Sequence, residues 1–211
     1  MKNLGINIGI LFLVLLIFFP TNAISQQQYG LKFKSYEVEK EKRTSLNLTP
    51  ELALKLPEQY TLSFNLRFNL GEQHQFGYIF RIIDSKGYHI DFLLNNNSLI
   101  LNSSDQSIAI ALHEAGLDYN QWFNVCLSFN REDEQIFVSA GNKTVSCKAN
   151  ELKEFGSVSI IFGKSDYPRF QYTDIPPMSI RDIEIKDSSD KLLYNWLLKK
   201  YSIDGVFDEV N

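Results

Sequence analysis

Tyr60, Leu62, Phe64, Leu66, Phe68 and Leu70 alternate without interruption with Thr61, Ser63, Asn65, Arg67 and Asn69. A period of two predicts a β-strand over Tyr60–Leu70 with one face buried and one face wet, whereas a helix would scatter these apolar residues around its circumference. Shorter runs of the same kind predict strands at Leu31–Tyr36, Ser45–Leu48, Tyr78–Ile83, Tyr88–Leu94, Ser98–Leu101 and Ile108–Leu112. They continue at Trp122–Phe129, Gln135–Ala140, Lys143–Ala149, Val158–Phe162, Ser179–Ile185 and Leu192–Leu198. Tyr88, Ile90, Phe92 and Leu94 are expected on one face of their strand. Asp84–Gly87, Asn95–Asn97, Arg131–Glu134 and Gly141-Asn142 carry turn residues between strands. Glu51–Leu56, bracketed by Pro50 and Pro57, is too short for a clear helix. In the Ser179–Ile185 strand the apolar spacing slips from two to three between Ile180 and Ile183, which predicts a β-bulge.

About a dozen short strands without an amphipathic helix predict an all-β chain, either a two-sheet sandwich or a barrel. Apolar residues on the second face of some strands, Ile79 and Leu93 among them, favour the sandwich. No repeat of 20 to 50 residues is visible, which argues against a propeller or β-helix within the span. Lys164–Met178 breaks the alternation and reads as a long loop rich in aromatic residues.

The N-terminus follows different rules. Lys2 precedes an apolar stretch from Leu4 to Phe19, Pro20 ends it, and small residues allow cleavage after Ala23 or Ser25. This is the pattern of a signal peptide over residues 1–25, and the stretch is short for a bilayer core, which needs about 20 apolar residues. No cysteine stands near the cleavage site, so a lipoprotein anchor is excluded. The chain is expected to be exported (secreted, periplasmic or at the cell surface), with no stable membrane insertion after cleavage.

Removing 25 of 211 residues leaves 186, the size of one β-rich domain. The domain is expected over 26–200, with 201–211 a tail or the start of a linker. With 20 basic and 25 acidic residues left, the net charge of −5 and the lack of a basic cluster argue against a nucleic-acid partner.

Cys126 and Cys147 would meet an oxidising compartment. If Trp122–Phe129, Gln135–Ala140 and Lys143–Ala149 form a meander, the cysteines sit two strands apart, roughly 10 Å, beyond disulfide reach. Another pairing order would change this, so the bond stays open at this point.

The arrangement resembles the laminin-G and concanavalin-A-like jelly-roll superfamily. The residues that carry the likeness are the Tyr60–Phe68 strand, Phe76–Ile82, Gln121–Leu127 with its opening Trp122, Ile160–Gly163, and the closing Ile180–Ile185. Arg43–Pro50 and Asp174–Ile183 further resemble secreted proteins of Bacteroidota in which such a domain precedes a kelch-type propeller. The resemblance implies a two-sheet antiparallel jelly-roll sandwich over about residues 30 to 200. It also implies a function in carbohydrate or protein recognition, and sometimes a calcium ion.

Candidate chemistry is sparse. Asp182 and Glu184 have the alternate spacing by which sandwich hydrolases set two carboxylates on one strand face, but the run only loosely matches theirs and Lys186 intrudes. A solvated outer face on an edge strand accounts for them as well. Glu132 and Glu134 share the spacing in a turn. His74, His89 and His113 are scattered, which disfavours zinc. Calcium would draw on Asp91, Asp166 and Asp174, which no Asp-x-Asp run unites. There is no Gly-x-Ser-x-Gly elbow, Cys126 reads as packed, and Trp122 and Trp196 read as core.

The aromatic loop is the best candidate binding site, with Tyr167, Phe170 and Tyr172 as stacking surfaces and Arg169 and Asp174 as directional hydrogen-bonding groups. The opposing reading has the same aromatics pack the loop onto the sandwich. Four Asn-x-Ser/Thr triplets, at Asn47, Asn96, Asn102 and Asn142, matter only for a eukaryotic source.

These readings together point to a non-catalytic binding or spacer module for a glycan or extracellular protein, with no cofactor. Two alternatives stand beside it: a glycoside hydrolase domain, and a structural domain docking on a downstream propeller of the same polypeptide.

Overall fold

The computed structural model describes residues 29–69, 76–202 and 205–207; the expected signal peptide, Leu70 and His74 lie outside them. In chain order the strands are β1 (Leu31–Lys32), β2 (Ser45–Asn47), β3 (Leu54–Lys55), β4 (Gln59–Phe68), β5 (Phe76–Asp84) and β6 (His89–Asn95). They continue with β7 (Ser98–Asn102), β8 (Ser107–Ala111), β9 (Phe123–Asn130), β10 (Gln135–Ala140) and β11 (Lys143–Lys148). The last are β12 (Ser157–Gly163), β13 (Met178–Asp187), β14 (Leu192–Trp196), β15 (Lys200–Ser202) and β16 (Gly205–Phe207). Helix among the described residues is confined to two 3-10 turns, Lys40–Lys42 and Asn150–Glu154.

Two antiparallel sheets of seven strands stack face to face. The first runs β1-β13-β4-β9-β10-β11, with β14 also on β13; the second runs β2-β12-β5-β6-β7-β8, with β3 also on β12. Strands β15 and β16 form a separate hairpin. On β4 the alternation of the sequence becomes alternation in burial, with Tyr60, Leu62, Phe64, Leu66 and Phe68 all inside. Phe64 meets Phe80 and Phe162 of the opposite sheet edge-on, with ring centres at 5.7 and 5.2 Å. These ring contacts join the buried Leu, Ile and Val side chains of both sheets in one core.

The bulge in β13 lies where the spacing places it. Ile180 and Ile183 both point into the core, and the register to β4 shifts between Arg181 and Glu184. The extra residue leaves Arg181 and Asp182 side by side on the outer face. Strand β13 is not an edge strand, since β4 flanks it on one side and β1 and β14 on the other. The edge reading of Asp182 and Glu184 is corrected accordingly.

The meander β9-β10-β11 also forms, and it settles the cysteines. Cys126 lies opposite Ser139, Cys147 opposite Ile136; Cys147 is buried in the core while Cys126 lies on the outer face, and both thiols are free.

Several boundaries differ from expectation. The predicted Leu31–Tyr36 strand stops at Lys32, because Phe33 enters the core and the Ser35 hydroxyl leaves to bond the Ile175 carbonyl at 2.5 Å. Tyr88 stays outside its strand and exposed. Ile79 belongs to the core rather than to a second face, because a register shift between Tyr78 and Phe80 turns it inward. Leu93 is buried outside the core cluster, on the second face as expected.

Candidate functional sites

The outer face of the second sheet is covered. Ile161, Arg81 and Asp91 form one cross-strand row, and Ile83 and Leu93 share its face; all are buried although none belongs to the core between the sheets. The cover is the aromatic loop. Its two limbs pair between Ser165 and Tyr172, with backbone hydrogen bonds of 3.0 and 3.1 Å, and Phe170 N–H closes the tip on the Tyr167 carbonyl at 2.8 Å.

Beneath the loop, Arg81 donates from Nε and Nη2 to the two oxygens of Asp91, the second bond at 2.6 Å; the side chains are 7% and 9% exposed. The guanidinium also donates to the Phe170 carbonyl at 3.3 Å and lies 4.5 Å from the Tyr172 ring centre and 5.1 Å from those of Tyr78 and Phe170. An arginine between aromatic faces and a bidentate carboxylate has its charge met in every direction, which is what allows it to stay buried. Burial pushes the Tyr172 phenol well above its ordinary range, against the opposing pull of Arg81.

The structure divides the five loop residues suggested by sequence. Tyr172 lies inward on Tyr78, centre to centre 4.0 Å, and its buried hydroxyl has no hydrogen-bond partner among the described residues. Asp174 accepts a bond from Arg43 at 3.1 Å, and Arg43 also holds the Thr173 carbonyl at 2.8 Å. Phe170 covers His89 at 4.5 Å and leaves part of its ring exposed. Tyr167 is half-buried beside it and Arg169 is exposed. The loop returns to the sheet at Gly77, where a Cβ would stand 2.6 Å from the Ile175 and Pro176 backbone; only glycine permits that approach.

A second arginine–aromatic cluster sits on the outer face of the first sheet, and sequence reasoning missed it. The guanidinium carbons of Arg67 and Arg181 lie 4.8 and 4.3 Å from the Trp122 ring centre, and Arg181 lies 4.9 Å from the Tyr29 ring. Trp122, expected in the core, instead sits just before β9 and lies with these outward-facing arginines. Asp182, held at φ 52° by the bulge, accepts from the Tyr29 hydroxyl at 2.6 Å and from Asn65 Nδ2 at 3.0 Å, with Arg181 Nε 3.5 Å away. Arg67 takes part in no ion pair among the described residues, and its buried Nε has no hydrogen-bond partner. The available sequence signal was Arg67 itself, the one charged residue on the polar face of its strand. Trp196, by contrast, packs against the core as expected.

The remaining candidates are occupied one by one. Asp182 is engaged as described, and Glu184 stands 3.6 Å from Lys186. Glu134 pairs with Lys153 at 3.0 Å in the turn that also holds Glu132. The three carboxylates weighed for calcium each serve a different cation: Asp91 takes Arg81, Asp166 takes Lys164 at 3.1 Å, and Asp174 takes Arg43. No three His, Cys, Asp or Glu side chains gather as a metal site among the described residues. Burial pushes the Cys126 thiol up, opposed by its Ser128 hydrogen bond and Lys186, so it is not an activated nucleophile.

This architecture is that of a laminin-G and concanavalin-A-like jelly-roll sandwich. It is similar to a SAP-like pentraxin from Limulus polyphemus, with TM-score 0.50 and 17% identity over 77% of this chain and 76% of that one. Mouse laminin α1 domains LG4-5 match with TM-score 0.52 and 13% identity, covering 84% of this chain and 46% of that one. The binding domain of botulinum neurotoxin DC, solved with rat synaptotagmin II, matches with TM-score 0.53 and 20% identity over 77% and 40%. The chain thus spans less than half the length of the laminin and toxin chains it matches. Likeness at these identities shows the fold. No protein-family model matches the chain, and no curated protein matches it in sequence.

Proposed function

We propose that this domain is a non-catalytic recognition module of an exported protein, and that the tip of the aromatic loop contacts a glycan or an extracellular protein. The observation that carries this reading is the division of labour within the loop. Tyr172 and Asp174 clamp it to the sheet through Arg81 and Arg43, while Tyr167, Arg169 and Phe170 stay at least partly accessible. A loop held in one conformation loses little entropy when a ligand binds. The toxin's binding domain, which shares this fold, was solved with a protein partner, in keeping with the proposed role. Export rests on the N-terminal pattern, and no described helix is long and apolar enough to cross a membrane. Catalysis is left aside because Asp182 and Glu184 are each committed to neighbours.

A glycan array and a capture experiment on extracellular proteins would find the ligand. Arg169→Ala and Phe170→Ala are then expected to weaken binding by about 1–3 kcal/mol, as interface anchors do. Arg169→Ala should leave the unfolding midpoint unchanged, since that side chain is exposed. A loop that only packs would give a lower midpoint for Phe170→Ala and unchanged affinity for both variants, and the reading would fall.

A further inference from the structure

The outer face of the first sheet holds cations that its own carboxylate does not satisfy. Arg67 and Arg181 both lie over Trp122, and Lys199 Nζ is 5.3 Å from the Tyr29 ring centre beside them. One carboxylate, Asp182, sits among these three cations; it pairs with Arg181 at 3.5 Å while also accepting from Tyr29 and Asn65, which leaves Arg67 without a carboxylate among the described residues. Two guanidiniums held over one ring repel each other, and cation–π attraction of about 0.5–1 kcal/mol per exposed contact does not replace a counter-ion. This excess of positive charge stands in a chain whose formal net charge is −4.

The surroundings indicate what kind of anion would fit. Along the same face, β4 presents Thr61, Ser63 and Asn65 and β9 presents Asn124 and Ser128, neutral hydrogen-bonding groups, while the Glu184 carboxylate opposite Ser63 is met by Lys186 at 3.6 Å. At the far end of these strands a shallow groove of about 290 Å³ is lined by Thr61, Ser128, Asn130 and Phe137, and Phe137 is 39% exposed. An apolar ring among hydroxyls and amides suits a sugar, whose ring faces are apolar and whose rim is hydroxylated. From Gln59 to Arg67 the strand runs roughly 27 Å at about 3.4 Å per residue, longer than a single sugar ring.

We propose that this face binds an acidic oligosaccharide, with a sugar carboxylate held by Arg67 and Arg181 beside Trp122 and neutral sugar rim along β4 and β9 toward Phe137. The planar guanidinium fork holds a carboxylate in two parallel bonds, and because a tetrahedral oxyanion can accept the same fork, a sulfated glucan is the comparison that tests the uronate assignment. The bulge in β13 shapes the site, because it adds Asp182 to the outer face beside Arg181, which strand alternation already turns onto the Trp122 ring. The proposal rests on the recognition-module reading but not on the loop, which covers the opposite sheet.

The test is calorimetric titration of the full chain with tetragalacturonate, maltotetraose and dextran sulfate, repeated on variants whose thermal midpoints are checked. Tetragalacturonate should bind, maltotetraose should bind at least tenfold more weakly, and Arg67→Gln or Arg181→Gln should each weaken the uronate at least tenfold. Arg67→Lys should recover part of the loss, since it restores charge without the fork. Lys55→Gln, an exposed cation on the other sheet with no part in either site, should leave this binding unchanged. Absence of uronate binding overturns the proposal, as does binding insensitive to both arginine changes or equal affinity for dextran sulfate. Uronate binding lost only in Arg169→Ala would overturn this site and leave the loop reading standing.

Discussion

Arg81 and Arg67 make a natural pair for comparison. Each projects from the outward side of a strand near the middle of its sheet, and each lies against aromatic rings at 4.5 to 5.1 Å. Arg81 has a bidentate carboxylate on the adjacent strand and a loop folded over it. Arg67 has neither: its row holds Ser179 on one side, its ring belongs to Trp122, and no acid among the described residues pairs with it. The same side chain is therefore a structural strut on one face and, on the other, a half-buried cation with no acid partner among the described residues. The presence of a partner for the charge, rather than the arginine or the aromatic, separates the two.

Removing that partner is the most direct way to break the contrast. Asp91→Ala leaves Arg81 buried and unpaired, and a loss of about 3–5 kcal/mol is expected in urea denaturation at neutral pH. Replacing both partners with apolar residues (Arg81→Met with Asp91→Leu) should recover most of it. A loss under about 1 kcal/mol for Asp91→Ala would mean that the pair is not a strut.

Removing part of the lid comes next. Tyr172→Ala should cost about 2 kcal/mol, less than a fully buried aromatic, because the ring covers Arg81 and Tyr78 but keeps some exposure.

The covered face should also respond to alkali. Burial favours the neutral phenol of Tyr172 in the folded state, while the unfolded chain ionises near pH 10. Above that pH the unfolded state binds fewer protons than the folded state, so this contribution to stability is whole below about pH 10 and declines as pH rises. Tyr172→Phe should flatten that decline. It should also raise stability at pH 7 by about 1 kcal/mol, because the hydroxyl is buried without a partner. Some alkaline loss should persist, since burial pushes the Tyr60 phenol up in the same way.

The smallest effect belongs to the open face. Arg67→Gln should shift stability by less than about 0.5 kcal/mol, as expected where no ion pair is lost. A loss as large as that of Asp91→Ala would show that Arg67 is a strut too, and the comparison would collapse.

Much of the fold was legible in the chain, and particular residues show where legibility ended. The alternation of β4 and the apolar slip at Ile180–Ile183 are local patterns, and both appear where they were read, one as a strand and one as a bulge. The same reasoning placed Trp122 in the core, because a tryptophan opening an apolar strand carries no local mark of being turned outward onto Arg67 and Arg181. For the loop, Tyr167, Arg169, Phe170, Tyr172 and Asp174 were read as one set. The structure gives Tyr172 and Asp174 to packing through Arg81 and Arg43, residues more than 90 positions away, and leaves the tip accessible.

By itself the sequence determined the secondary structure class and the bulge and favoured the sandwich, while the pairing order that keeps Cys126 and Cys147 apart stayed open. Side-chain period and turn chemistry act over a few residues, so they can be read along the chain. Only the tertiary structure decided which sheet face is covered, which arginine receives a carboxylate, and that Trp122 meets two cations. Those outcomes depend on strand order and on where the loop lands, which bring together Arg81 with Phe170 and Arg67 with Arg181 across long stretches of chain. Burial and charge pairing are properties of that assembled surface, and no local pattern encodes them.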